Sequence, residues 1–422
     1  MTENRVHTLT TLVGCFLLAL SGCAASDKSV GISGLSSDLT PPEWASAREV
    51  KRILVVPLSF PGKDRYGDLE SIKRRWGVDL REYIRELSYG KVQVDIEVAP
   101  WTQMPQPISA YRLSSWRILN WTPQDQSTRT AIVRDVATVL YKIYDFSSYD
   151  GLMLVVGATW KALGRYGYLC RTLSGFFEIW TPSGKLIPPT DVHTYDVPFP
   201  SIAYALPKIL GRYKDRRSVV PTLYDYKAQG TPGPHGYANK SVGGNKAHKY
   251  FSIHAGPWDI QSQHGVSTSG GYMARGVSSF TKLRLGWIDP GQTCTVEPGQ
   301  SRTVFLGPLW DGHAETLVIR LPLDQSCCYY LIENRQRKGV DRHLPSEGIL
   351  ILKVDETIPE GCGPVRVVNA HPTTSFFQKA PFGEGEEFLD HQNGILVKVL
   401  SKEGNNYRLE IRRSSRRWTP TF

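Results

Sequence analysis

Pro200-Ser201-Ile202-Ala203-Tyr204-Ala205-Leu206-Pro207-Lys208-Ile209-Leu210-Gly211, followed downstream by Leu223-Tyr224-Asp225-Tyr226, is the stretch on which the reading of the chain turns. It reads as an apolar helix. Pro207 breaks the pattern: inside a helix it removes one hydrogen bond and clashes one turn back, at a cost of about 3 kcal/mol. The cost disappears if the helix begins at Pro207, where no partner exists for the missing N–H.

Working outward, the residues before this stretch alternate between two periods. Arg52 to Leu58 is a continuous apolar run, expected as a buried strand. Leu69 to Leu87 is expected as an amphipathic helix, and Ser88-Tyr89-Gly90-Lys91 as a turn. Val92, Val94, Ile96 and Val98 alternate with polar residues, as in a half-buried strand. Thr128 to Tyr144 is expected as a helix with Ile132, Val136, Val139, Leu140 and Ile143 on one face, and Leu152 to Val156 as a second buried strand. This order predicts an α/β pattern. Residues 227–275 are rich in Gly, Ser and His without a period, as in functional or mobile segments. After Pro290-Gly291 the texture changes to short runs between turn residues. They are Thr303 to Leu306, Thr316 to Leu321, Tyr329 to Ile332, Gly348 to Val354, Gly394 to Leu400 and Tyr407 to Ile411. These predict an all-β module. The expected division is a mixed domain over 46–290, a β-rich domain over 291–415 and a tail over 416–422.

The chain has 422 residues, enough for two domains with their own cores. Its formal net charge of +10 gathers at Arg212, Lys214, Arg216 and Arg217 and again at Arg412, Arg413, Arg416 and Arg417. Such charge favours anionic surfaces or simply forms a solvated face. No basic-aromatic module for nucleic acid is present, so a nucleic-acid partner is not expected. At the N-terminus, Arg5 and His7 precede a short apolar run ending in Leu20-Ser21-Gly22-Cys23-Ala24. The run is too short for a stable span and reads as an export signal over 1–22. Leu20-Ser21-Gly22-Cys23 resembles the lipobox of bacterial lipoproteins. That resemblance implies a mature chain beginning at Cys23, diacylated on sulfur with chains such as palmitate, and held at the cell envelope. Ala24 beside the anchor implies the outer membrane if the cell has one. Residues 23–45 then form a flexible tether. Of the five later cysteines, Cys294, Cys327, Cys328 and Cys362 lie in the last third, with Cys170 before them. One or two disulfides there are compatible with export, and their pairing does not follow from spacing. There is no Cys-x-x-Cys thiolate motif and no Gly-x-Ser-x-Gly elbow for serine catalysis.

Taken in order, several landmarks resemble the immune inhibitor A family of secreted zinc metallopeptidases. They are Ser88-Tyr89-Gly90-Lys91, Asp145-Phe146-Ser147-Ser148-Tyr149-Asp150, Leu223-Tyr224-Asp225, Gly256-Pro257-Trp258-Asp259 and Lys282-Leu283-Arg284-Leu285-Gly286-Trp287. The likeness continues through Tyr329-Tyr330-Leu331-Ile332-Glu333-Asn334-Arg335-Gln336, Asp341, Leu344 to Leu350 and Val354-Asp355. It implies a zincin-like mixed α+β or α/β domain followed by an all-β, sandwich-like domain. In that family the segment equivalent to 204–208 is His-Glu-Leu-Gly-His. Two histidines one turn apart hold zinc there, and the glutamate is the general base. Here the five positions hold Tyr204, Ala205, Leu206, Pro207 and Lys208. Two ligands and the base are gone, and Lys208 would put an ammonium where the cation should sit. Gln261 stands where active members carry a methionine beneath the metal.

The resemblance therefore implies an inactive relative, a pseudopeptidase that binds or scaffolds. It has no catalytic residue at Tyr204, Ala205 or Lys208 and no cofactor. Its cleft candidates are Tyr224, Asp225, Trp258 and Asp259, although capping and turn formation account for the aspartates as well. Its expected partners are the membrane through lipidated Cys23, and a peptide, a protein or an anionic surface polymer. The alternative is an active hydrolase whose zinc ligands have moved to His235, His248, His254 or His264.

Overall fold

Strand β1 (Val50–Ser59) is the centre of a six-stranded sheet. Its β-branched and leucine side chains are buried on both faces, as in parallel sheets covered by helices. The computed structural model describes residues 50–113, 123–163, 168–170, 179–211, 213–214, 217–223, 254–262, 265–268, 271–323, 327–373 and 377–415. The signal peptide with Cys23, the tether, Tyr224, Asp225, His235, His248, His264 and the tail 416–422 lie outside them.

β2 (Gln93–Val98), and beyond it β3 (Thr102–Gln103), run parallel to β1 on one side. On the other side follow β4 (Gly151–Val156) and β6 (Thr190–Thr194), both parallel, and β5 (Tyr168–Cys170), antiparallel to β6. The pleat sends Ile53 and Val55 to one face and Leu54, Val56 and Leu58 to the other. The first face packs against helices α1 (Leu69–Ile72), α2 (Leu80–Leu87) and, further on, Phe199–Gly211. The second packs against α3 (Pro123–Leu140) through Ile132, Val133, Val136 and Leu140. A short α4 (Trp160–Leu163) follows β4.

Two expectations are corrected here. The single helix over 69–87 is interrupted by a π-helical segment, Lys73–Asp79. Ile72, Trp76 and Leu80 recur every four residues, wider than the α period, and the extra residue per turn keeps all three in the core. In α3 the buried face is narrower than the sequence predicts: Val139 is 39% and Ile143 71% exposed. Ile143 falls beyond Leu140, where the helix ends, and Val133 and Ala137 fill the core in their place.

Helix α5 is the opening stretch, Phe199–Gly211, and Pro207 lies inside it rather than at its start. Every residue from Pro200 to Gly211 is buried, so tertiary packing offsets the proline's missing hydrogen bond. Gly211 closes the helix where only a glycine fits: a Cβ there would sit 2.9 Å from Val220 Cγ2. Small hairpins follow: β7 (Tyr213–Lys214) with β8 (Arg217–Ser218), and β9 (Gly265–Thr268) with β10 (Gly271–Ala274). Helix α6 (Ser279–Arg284) leads into the β-rich half.

That half contains two sheets. The first orders β11 (Thr293–Thr295), β13 (Val318–Pro322), β14 (Cys328–Arg335), β15 (Gly348–Asp355) and β16 (Val365–Val368). The second orders β12 (Ser301–Leu306), β19 (Asn406–Arg413), β18 (Ile395–Glu403) and β17 (Glu387–Asp390). Ile319, Ile332 and Ile351 from one face Val397, Leu409 and Ile411 from the other across a shared core. The first sheet is buried on its other face too. There Leu331, Leu350 and Leu352 meet Trp258, Phe280 and Leu283 from the preceding half. Among the described residues no disulfide is formed, and no helix is long and apolar enough to cross a membrane.

Candidate functional site

The site is built on α5, on the extended segment ending at Leu223 and on the loop between β15 and β16. Lys208, in the last turn of α5, is 3% exposed. Its Nζ lies 3.0 Å from Glu360 Oε1 and donates to Val220 O at 3.2 Å. It also stands 5.8 Å from the centre of the Tyr204 ring, one turn earlier on the same face. Glu360 comes from the Gly- and Pro-rich loop Pro359-Glu360-Gly361-Cys362-Gly363-Pro364. That loop is pinned to the extended segment from both directions. Thr222 N donates to Glu360 Oε1 at 3.1 Å, and Gly361 N donates to Thr222 O at 3.1 Å. The Tyr204 hydroxyl and Thr222 Oγ1 are 3.4 Å apart. Gln261 Nε2 donates to Tyr204 O at 3.0 Å, so the residue in the methionine position ties a turn to the helix backbone.

Zinc needs about three nitrogen, sulfur or carboxylate ligands and an open position. The groups converging here are an ammonium, a phenol, a threonine hydroxyl, a carboxamide and one carboxylate. The ammonium already claims the carboxylate. The described donor set does not fit a zinc ion, and Ala205 offers no base.

Trp258 and Asp259 are fully buried. Asp259 Oδ2 accepts from Ser278 N at 2.8 Å, Ser278 Oγ at 2.6 Å and Thr281 Oγ1 at 2.8 Å, while Oδ1 accepts from Gln261 N at 2.7 Å. It thus pins the start of α6 to the loop that carries Trp258. Burial pushes its carboxyl above the ordinary range, and those hydrogen bonds oppose the shift. His254 has a left-handed backbone (φ 55°), and its carbonyl accepts from Val367 N at 3.0 Å. Its ring packs on Gly363, where a Cβ would lie 2.3 Å from Cδ2. Among the described residues His254 belongs to no group of three metal-ligating side chains.

Other motif residues form a polar joint between the two halves. Arg335 grips Asp341 with Nε at 3.1 Å and Nη2 at 2.9 Å. Its Nη1 donates to Glu333 Oε1 and to Trp258 O, each at 2.8 Å. Glu333 Oε2 accepts from Ser279 N at 2.6 Å. Burial works against the guanidinium's charge, but Asp341 and Glu333 outweigh it and its pKa is raised; burial raises that of Glu333. Lys282 Nζ donates to Leu87 O at 2.6 Å and lies 3.8 Å from the Tyr89 ring centre. Burial lowers its pKa to about 7. Trp258, Glu333 and Arg335, which carried part of the resemblance, are therefore bolts between the halves.

Sequence reasoning missed Glu360 and Thr222. A lysine in an apolar helix announces a counter-charge, but nothing local identifies which carboxylate, 152 residues away, supplies it. Compared with known proteins, the chain matches no protein-family model and no curated protein.

Proposed function

We propose that the chain is an exported, lipid-anchored relative of the zinc metallopeptidases that no longer cleaves and instead binds or scaffolds at the cell envelope. The single observation that carries this reading is the Lys208–Glu360 pair, with Tyr204 and Thr222, at the place where the resemblance puts the metal. An ammonium there repels a divalent cation, and its carboxylate partner is held by two donors. The ligand class follows from charge: a net charge of +10 favours an anionic surface polymer or an acidic peptide. Anchoring would come from acyl chains on Cys23, each buried methylene contributing about 0.8 kcal/mol.

The test is a protease assay on unfolded protein substrates, run on the purified full-length chain after zinc loading and dialysis. No hydrolysis is expected, and none should appear on adding zinc. Hydrolysis that a chelator stops and that His254→Ala abolishes would overturn the reading and favour relocated ligands.

A further inference from the structure

The β-rich half carries a cluster that the reading above does not use. Cys327, in the turn leading to β14, Cys328, the first residue of β14, and Asp355, the last of β15, bring two sulfurs and a carboxylate oxygen within 4.8 Å of one another. Antiparallel pairing sets Cys328 opposite Asp355. The turn brings in the second sulfur, and Cys327 O accepts from Glu356 N at 3.0 Å. Asp355 Oδ1 accepts from Thr357 N at 3.0 Å, which holds the carboxylate in place. All three residues are half-buried, so an ion can reach them.

We propose that Cys327, Cys328 and Asp355 form a binding site for a thiophilic divalent cation of the zinc and cadmium class. Two sulfurs select a soft or borderline ion, and the carboxylate supplies a third ligand. Water completes a tetrahedral set. The alternative for adjacent cysteines is a disulfide, but neighbouring Cα atoms stand about 3.8 Å apart, short of the roughly 4.4–6.8 Å that a disulfide normally spans. The carboxylate opposite gives the two sulfurs a third ligand instead. On binding, each thiol loses its proton to solvent and the sulfur takes the metal.

The location gives such a cation a structural consequence. Asp355 is the last residue before the loop that delivers Glu360 to Lys208. Glu356, next in the chain, accepts from the Tyr329 hydroxyl at 2.6 Å and pairs with Arg284 at 3.5 Å. A bound ion would brace the base of the loop that seals the α5 centre.

The test is titration of the reduced full-length chain with cadmium chloride, following the sulfur-to-cadmium charge-transfer absorption, with calorimetry in two buffers to count released protons. One equivalent is expected, with the absorption lost in both C327S and C328S, retained in C294S, and affinity lowered at least about tenfold in D355N. Proton release on wild-type protein, which needs no variant, should approach two per ion. Absorption indifferent to C327S and C328S overturns the proposal, as does uptake without proton release. A disulfide between Cys327 and Cys328 in unreduced protein, with no cadmium uptake after reduction, overturns it equally.

Discussion

Glu360→Ala is the most informative single change. It removes the carboxylate 3.0 Å from the Lys208 ammonium and the acceptor for Thr222 N. What remains for the ammonium is Val220 O and the face of Tyr204. Stripping one partner from a fully buried ion pair costs about 3–5 kcal/mol. The Glu360 side chain keeps 28% of its exposure, so water screens part of the interaction and the expected loss is about 3 kcal/mol. Glu360→Gln keeps an acceptor for both donors and loses only the charge, so about half of that loss is expected. Lys208→Met removes the buried charge and keeps an apolar stem, and should cost about 1 kcal/mol or less. In Lys208→Met/Glu360→Ala no ammonium is left unpaired. The double variant should therefore be more stable than the sum of the singles predicts, by about 2 kcal/mol. Urea unfolding at fixed pH, with the slope compared between variants, measures all four corners. Additivity within about 0.5 kcal/mol would refute the argument that the pair seals the centre.

Three further outcomes follow from the buried joint and the sheet. Lys282 has a folded pKa of about 7 against an ordinary 10.5, so between those values unfolding takes up a proton and stability rises with pH. Below about 7 its penalty is complete, and Lys282→Met should abolish that rise in pH-dependent urea midpoints. Arg335→Gln leaves Glu333 and Asp341 as buried, uncompensated carboxylates and should cost about 4 kcal/mol at neutral pH, less in acid as Glu333, whose pKa burial raises, takes up a proton. Gly348→Ala imposes a side chain at φ 139°, with its Cβ 2.7 Å from Phe382 O, and should cost about 3 kcal/mol in the same unfolding assay.

How much of this could be read in advance depended on how the burial signal was written. The strands of the β-rich half were legible because turn residues bracket apolar runs, as at Gly348 to Val354. Polar residues extend them past those runs: Glu333, Asn334 and Arg335 are buried strand residues, with Glu333 and Arg335 paired to each other, Arg335 to Asp341 and the Asn334 amide donating to Leu306 O. β6 was not legible: Thr190-Asp191-Val192-His193-Thr194 is wholly buried yet mostly polar. The π-helical segment was visible in the four-residue spacing of Ile72, Trp76 and Leu80, but one slip in a helical period is easily absorbed by eye. At the site, the altered positions on α5 could be found from order along the chain. Glu360 could not, because ion pairing across 152 residues leaves no periodic trace.

The central sheet of the β-rich half has one last consequence. Because β14 and β15 are covered on one side by the second sheet and on the other by Trp258, Phe280 and Leu283, neither half can dry its own surface alone. During synthesis, at about 5–20 residues per second, the first half emerges with that apolar face bare for several seconds until Leu350 and Leu352 arrive. The chain is thus at its most vulnerable to sticking and to proteolysis after Leu283 has emerged and before Leu352 has, and becomes secure only when its C-terminal strands close over it.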